Sequence, residues 1–111
     1  MVITVNLDPT LGSETGKIRP CIIVTNNTYN ERVPVIQMVP ITEYNDKKGR
    51  IITNVVIEPS NNNGLTKLSV ADCLQTRPID YRKRLMEIIG ILSNNDILKI
   101  NKALKIVFDL E

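Results

Sequence analysis

The chain has 111 residues, of which 42% are hydrophobic, and carries 14 Lys and Arg against 12 Asp and Glu, giving a net charge of +2. A chain of this length forms a single domain with one modest surface site, which excludes multidomain enzymes. Because it has no histidine, it lacks Ser-His and Cys-His nucleophiles and the commonest zinc ligands. We therefore expect one domain over residues 1–111 whose chemistry uses other side chains.

The apolar runs of the chain are too short to cross a membrane. The most hydrophobic stretch, residues 86–92, is well below the roughly 18 residues that a span requires. The N-terminus lacks the basic region and cleavage site of a signal peptide, and Cys21 and Cys73 do not have the spacing of a disulfide framework. These features predict a cytoplasmic protein with reduced thiols and no membrane partner.

Short runs rich in Ile and Val, separated by turn-forming clusters, predict strands over the first three quarters of the chain. The predicted strands are Ile3–Leu7, Pro20–Thr25, Val35–Ile41, Ile51–Ile57 and Ser69–Gln75. The polar segments between them predict loops at Asp8–Ile18, Asn26–Arg32, Asp46–Arg50 and Glu58–Gly64.

The last quarter of the chain predicts a mixed ending. Asp80 is expected to cap a short helix at Tyr81–Met86, and the glycine-interrupted run Ile88–Leu92 is typical of a returning buried strand. Ser93 then begins an amphipathic helix whose apolar positions recur at helical spacing, with Phe108 in the core. The sequence therefore predicts a mainly β, α+β domain: a curled antiparallel sheet or small barrel closed by a C-terminal helix.

The densest polar segment, residues 6–20, joins the first two predicted strands. It holds Asp8, Glu14, Lys17 and Arg19 among two glycines. By itself this composition is also that of an ordinary loop with solvated charges.

The order of motifs along the chain resembles the MazF/PemK family of toxin ribonucleases. The resemblance covers nearly the whole chain and rests on Asn6-Leu7-Asp8-Pro9-Thr10, Gly12-Ser13-Glu14, Arg19-Pro20, Pro40-Ile41-Thr42, Gly64-Leu65, Gln75 with Arg77, Asp80, Arg84-Leu85 and Gly90. The Gly-Ser-Glu…Arg-Pro and Pro-Ile-Thr blocks are specific when they occur together.

This resemblance implies a small SH3-like barrel of the CcdB/MazF type that forms a homodimer. It implies the toxin of a type II toxin–antitoxin system, which cleaves single-stranded mRNA at short sequences without a metal or cofactor and is neutralised by a MazE-like antitoxin. It places the catalytic roles on Arg19, Thr42 and Glu14, and lines the RNA groove with Gln75 and Arg77.

The residues themselves are compatible with metal-free RNA cleavage. Attack by the 2′-hydroxyl leaves a 2′,3′-cyclic phosphate and a 5′-hydroxyl, and needs a base, an acid and positive charge on the phosphorane oxygens. Arginine supplies the charge, threonine donates a hydroxyl proton, and a carboxylate such as Glu14 can act as the base or orient the arginine.

The sequence has no cluster of acidic residues of the kind that binds a catalytic Mg²⁺. Further RNA contacts are expected from Lys17, Tyr44, Lys47, Lys48 and Arg50, and the basic groove should attract an acidic antitoxin tail.

Two departures from the family pattern carry expectations. The chain begins partway into the family's first strand, which predicts a shortened strand there. Pro78 stands where a β-branched residue is usual, which predicts an early end to that strand ladder.

Two alternatives to cleavage are a toxin of the same fold that poisons DNA gyrase and a barrel that binds RNA without cutting it.

Overall fold

The computed structural model describes residues 1–7, 18–24 and 35–110. Its strands are β1 (Val2–Asn6), β2 (Ile18–Ile23), β3 (Val35–Glu43), β4 (Asn54–Ile57), β5 (Ser69–Asp72), β6 (Arg77–Asp80) and β7 (Leu85–Gly90). Its helices are α1 (Asp46–Gly49), α2 (Tyr81–Arg84) and α3 (Asn94–Val107), with a 3₁₀ turn at Cys73–Gln75. The predicted loops at Asp8–Ile18 and Asn26–Arg32 lie almost entirely outside the described residues.

The strands form one antiparallel sheet in the order β4-β5-β3-β2-β1-β7, with β6 also paired to β3. The nine-residue β3 is the centre of the sheet because it pairs with β2, β5 and β6. Within the described residues β6 and β7 are not paired, so the sheet curls without closing. The predicted curled sheet with a C-terminal helix is confirmed.

Alternation along the strands sends apolar side chains to both faces of the sheet. One cluster, which includes Ile41, Val55 and Ile57, is covered by Ile100 and Ala103 of α3. The other cluster lies on the opposite face and is built from Ile3, Val5, Leu7, Cys21, Ile36, Met38 and Ile79. The sheet is therefore buried on both sides near β3, which holds the strand ends at fixed positions.

The C-terminal helix begins as predicted, because the Ser93 side chain accepts a hydrogen bond from the Asp96 backbone N–H at 3.1 Å. Phe108, however, was wrongly predicted to be in the core: its side chain is 56% exposed. The helix ends at Val107, so Phe108 no longer follows the helical stripe that buries Ile100 and Ala103.

Several predicted boundaries need correction. The predicted loop at Asp46–Arg50 contains α1, the predicted strands Ile51–Ile57 and Ser69–Gln75 are shortened to β4 and β5, and the predicted helix Tyr81–Met86 ends at Arg84. The expected buried strand begins earlier, at Leu85, and is mostly exposed.

One of the two expectations drawn from the departures is wrong, and the other stays a prediction. β1 pairs over five residues with β2 and is also bonded to β7, and its shortening relative to the family's first strand stays a prediction. The ladder between β6 and β3 continues through Pro78, which lies opposite Gln37, as far as Asp80. Proline is tolerated there because β6 pairs only with β3 among the described residues, so one row of its backbone donors needs no strand partner within them.

Among the described residues, no helix is long and apolar enough to span a membrane.

Candidate active site

Arg19 and Thr42 lie side by side at the ends of neighbouring strands. The β2–β3 ladder pairs Cys21 with Pro40, Ile22 with Val39 and Ile23 with Met38. Continuing this register by two residues sets Arg19 directly opposite Thr42, and residues that are directly opposed in an antiparallel pair share a face of the sheet. The structure therefore brings together the two residues predicted to be catalytic in its described part.

Both residues line one open cavity of about 420 Å³. Each side chain is half-buried, so it is partly shielded from solvent where it lines the cavity. The rest of the lining comes from β1, β2, β3, β7 and the segment before β5: Thr4, Pro20, Ile41, Glu43, Gly64, Leu65, Thr66, Lys67, Ser69 and Ile89. A cavity of this size can hold a nucleotide or part of an RNA strand.

The far wall of the cavity is the segment 64–67, which sequence reasoning did not include in the site. Its position is fixed by Asn63, which is 2% exposed. Asn63 Oδ1 accepts from the backbone N–H of Ser60 and of Leu65, each at 3.0 Å. Lys67 forms an ion pair with Glu43 at 3.9 Å on the cavity rim, where both side chains are largely exposed, and such a pair contributes little stability.

Lys48 lies against Thr42. The Lys48 ammonium donates to Thr42 Oγ1 at 3.3 Å and to the Glu43 carbonyl oxygen at 3.2 Å. α1 carries this lysine, and Asn45 begins the helix by accepting a hydrogen bond from the Lys48 backbone N–H at 2.8 Å. An asparagine three residues ahead of Lys48 is a helix-start signal that the sequence analysis overlooked.

The other predicted RNA contacts near Thr42 lie on or beside α1. Lys47 and Arg50 are exposed, and Tyr44 is half-buried with its hydroxyl donating to Asp46 Oδ1 at 3.2 Å. The Tyr44 ring lies over Gly49, where a Cβ would come within 2.6 Å of Tyr44 Cε2. The observed position of the Tyr44 ring therefore requires that residue 49 has no side chain.

Gln75 and Arg77 follow β5 on the other edge of β3. The Gln75 amide donates to Asp72 Oδ2 at 2.9 Å, and Arg77 lies opposite Met38 in the β3–β6 ladder. Because Met38, Pro40 and Thr42 alternate onto one face of β3, Arg77 shares a face with Arg19 and Thr42. Of the two residues, Arg77 is therefore on the same face of the sheet as the predicted catalytic residues.

The cysteines are not nucleophiles. Both are free and buried. Burial raises the pKa of Cys21 to about 12, against the opposing influence of the nearby Arg77 and Arg19 charges, and burial likewise raises the pKa of Cys73 to about 11. Their thiols therefore stay protonated at neutral pH, as the prediction of plain apolar residues requires.

Glu14 and Lys17 lie outside the described residues. Within the described residues, there is no group of three or more Cys, Asp or Glu side chains arranged to hold a metal ion. A larger cavity of about 830 Å³ near the start of α3 shares no lining residue with the one at Arg19 and Thr42, and none of the predicted site residues lines it.

The sequence matches a known protein family over nearly its whole length. Residues 1–108 match the family model described as the PemK-like, MazF-like toxin of type II toxin–antitoxin systems. The chain belongs to this family. It is 36% identical over 109 residues to the endoribonuclease MazF of Staphylococcus epidermidis, covering 98% of this chain and 88% of that protein.

Solved structures of MazF proteins have the same fold. The Mycobacterium tuberculosis toxin MazF-mt6 matches with a TM-score of 0.79 and 25% identity, covering 99% of this chain and 97% of that one. A mycobacterial endoribonuclease in complex with its cognate antitoxin matches with a TM-score of 0.78 and 23% identity, covering 99% and 92%. The comparisons do not support the alternative of a gyrase-poisoning toxin.

Proposed function

We propose that this MazF-family toxin is an endoribonuclease that cleaves single-stranded mRNA at short sequences, using Arg19 and Thr42 as its catalytic pair. The family assignment and the endoribonuclease relative support the activity. The single observation that carries the site is that Arg19 and Thr42, just beyond the end of the β2–β3 ladder, line the same cavity.

In the proposed reaction, the 2′-oxygen of one nucleotide attacks the adjacent phosphorus. A base takes the 2′-hydroxyl proton, the bond between phosphorus and the 5′-oxygen breaks, and the departing oxygen receives a proton. The products are a 2′,3′-cyclic phosphate and a 5′-hydroxyl, so atoms and charge balance without an oxidant or a hydrolytic water.

Arg19 is assigned to the phosphorane oxygens. Its guanidinium can make two charge-assisted hydrogen bonds to the phosphate oxygens. Thr42 is assigned as a second donor, through its hydroxyl. Glu14 is proposed as the base or as the group that orients Arg19, on the strength of the family motif alone.

The RNA path is proposed to extend from this pair across one side of the protein. Phosphate contacts are proposed for Lys17, Lys47, Arg50 and Arg77. Gln75 is proposed to form hydrogen bonds with base edges, and Tyr44 is proposed to stack its ring on a base. Phosphate contacts fix position while base contacts read sequence, so the cleavage motif should depend on Tyr44 and Gln75 more than on the lysines.

The test is cleavage of a long, weakly structured RNA by the purified protein in excess chelator, with mapping of the new ends. We expect cuts at a recurrent short motif that carry a 2′,3′-cyclic phosphate and a 5′-hydroxyl, because the proposed roles are filled by side chains without a metal. If folded protein binds this RNA in a salt-sensitive manner and leaves it intact, it is a binding protein and the proposal fails.

We also infer a cytoplasmic homodimer that binds a cognate antitoxin. Exposed apolar side chains on β7 and α3, which include Met86, Ile88 and Leu98, support self-association. The basic residues beside the cavity favour an acidic, partly disordered antitoxin tail. Light scattering should find the protein dimeric, and a monomeric toxin contradicts the inferred dimer. An acidic tail peptide should inhibit cleavage because it competes with RNA. A bound peptide that leaves cleavage at full rate contradicts the inferred antitoxin contact.

A further inference from the structure

The Lys48 side chain differs from its basic neighbours Lys47 and Arg50 because it is half-buried and hydrogen-bonded to Thr42. Its ammonium donates to Thr42 Oγ1 and to the neighbouring Glu43 carbonyl oxygen, and the side chain is half-buried. Lys47 and Arg50, on either side of it in α1 and its cap, are exposed.

The hydrogen bond between Lys48 and Thr42 can run in one direction only. An ammonium has three donors and no acceptor, so the threonine oxygen must accept. The single hydroxyl proton of Thr42 then has to be donated elsewhere, and Thr42 lines the cavity that it shares with Arg19. Lys48 thus sets which way Thr42 donates, and its charge polarises the O–H bond and makes the hydroxyl a stronger donor.

The backbone of α1 is held so that Lys48 keeps this position. Asn45 accepts from the Lys48 backbone N–H, and Asn54 Nδ2 donates to the Lys48 carbonyl oxygen at 3.1 Å. The hydrogen bond from Asn54 attaches the backbone of Lys48 to the start of β4.

We propose that Lys48 is a positioning residue for Thr42: its ammonium fixes the hydroxyl so that the proton is donated into the cavity, toward a phosphate oxygen of the RNA being cleaved. This role rests on the proposed ribonuclease function. It makes Lys48 act on the chemical step through Thr42, whereas exposed lysines act on RNA binding.

A double-mutant cycle tests this role. Lys48→Met keeps most of the length of the unbranched side chain and removes the charged donor. In single-turnover cleavage of an RNA oligonucleotide, we expect the maximal rate to fall about 10- to 100-fold, as the loss of a charge-assisted hydrogen bond predicts, with a smaller change in the half-saturating protein concentration. In a Thr42→Val background the same substitution should cause no further loss of rate.

Two control variants separate positioning from charge and from folding. Lys47→Met removes an equal charge from α1, and should weaken RNA binding by the same factor with or without the Thr42 hydroxyl. Lys48→Arg keeps a donor-only cation and should recover most of the rate. The melting temperature of each variant shows whether it is folded, and a Lys48→Met protein that does not fold is replaced by Lys48→Gln in the same cycle.

Each outcome decides the proposal. Loss of rate by Lys48→Met only when Thr42 is present, with rescue by arginine, supports it. Equal losses in both backgrounds, or a change in binding alone, overturn it while leaving the ribonuclease function intact. If the wild-type protein cleaves no RNA, the proposed function and the role of Lys48 fail together.

Discussion

Replacing Arg19 with alanine is expected to lower the rate of RNA cleavage by about 10²- to 10³-fold, which corresponds to roughly 2.7 to 4 kcal/mol of lost transition-state stabilisation. The physical reason is that negative charge builds up on the phosphate oxygens as the transition state forms. The phosphorane carries more negative charge on its non-bridging oxygens than the starting phosphodiester does, so a fixed guanidinium binds the transition state more strongly than the substrate.

The position of Arg19 strengthens this effect. Its side chain is half-buried and lines the cavity opposite Thr42, so its charge is less screened than that of an exposed residue such as Arg50. Because the effect belongs to the transition state, single-turnover kinetics with saturating protein should find the loss in the maximal rate rather than in RNA binding.

The melting temperature of the Arg19→Ala protein shows whether it is folded, so that a loss of rate can be assigned to the missing guanidinium. Arg19→Lys serves as the matched control, since it keeps the charge without the two-pronged geometry and should recover part of the rate. A folded Arg19→Ala protein that cleaves RNA at the wild-type rate would remove Arg19 from the mechanism.

The parts of the fold that sequence predicted well carry local signals. β1 and β3 are apolar runs bounded by turn residues, and α3 begins at a serine cap followed by a helical stripe. The pairing of Arg19 with Thr42 is different, because nothing between residues 19 and 42 specifies which residues of β2 and β3 oppose each other. The family resemblance selected both residues, and the strand register then explains how they come to line one cavity.

The errors occur where tertiary contacts override local pattern. β6 was missed because Pro78 disfavours a strand, yet an edge position next to β3 accommodates it. The strand predicted at Ile88–Leu92 was expected to be buried because it is apolar, but Ile88 is 58% exposed. Hydrophobicity cannot distinguish a core strand from one that is available to a partner. α1 was read as a loop because a four-residue helix is too short to show a periodic pattern.

Replacing Gly64 with alanine is expected to destabilise the protein by about 3 kcal/mol. Gly64 has a φ of +72°, and a left-handed conformation costs a non-glycine residue roughly 1–2 kcal/mol. An added Cβ would also overlap the backbone carbonyl of Ile89, and overpacking typically costs about 1–3 kcal/mol more.

Neither side of this contact can move easily. On one side, Asn63 binds the backbone N–H groups of Ser60 and Leu65 and donates to the Glu58 carbonyl oxygen at 2.9 Å. On the other, Ile89 belongs to β7, which is bonded to β1. Relief of the overlap would therefore shift either the wall of the cavity or an edge of the sheet.

Thermal and urea unfolding should show a fall in melting temperature of roughly 10 °C or more for Gly64→Ala, given about 4–8 °C per kcal/mol in a domain of about this size. Gly49→Ala is the matched control. The Cβ added at residue 49 meets the outer edge of the Tyr44 ring, which can rotate away, and Gly49 has no positive φ. It should change the melting temperature by only a few degrees while displacing the predicted stacking ring. Equal losses in the two variants would show that the backbone contact between Gly64 and Ile89 does not determine the stability of this wall.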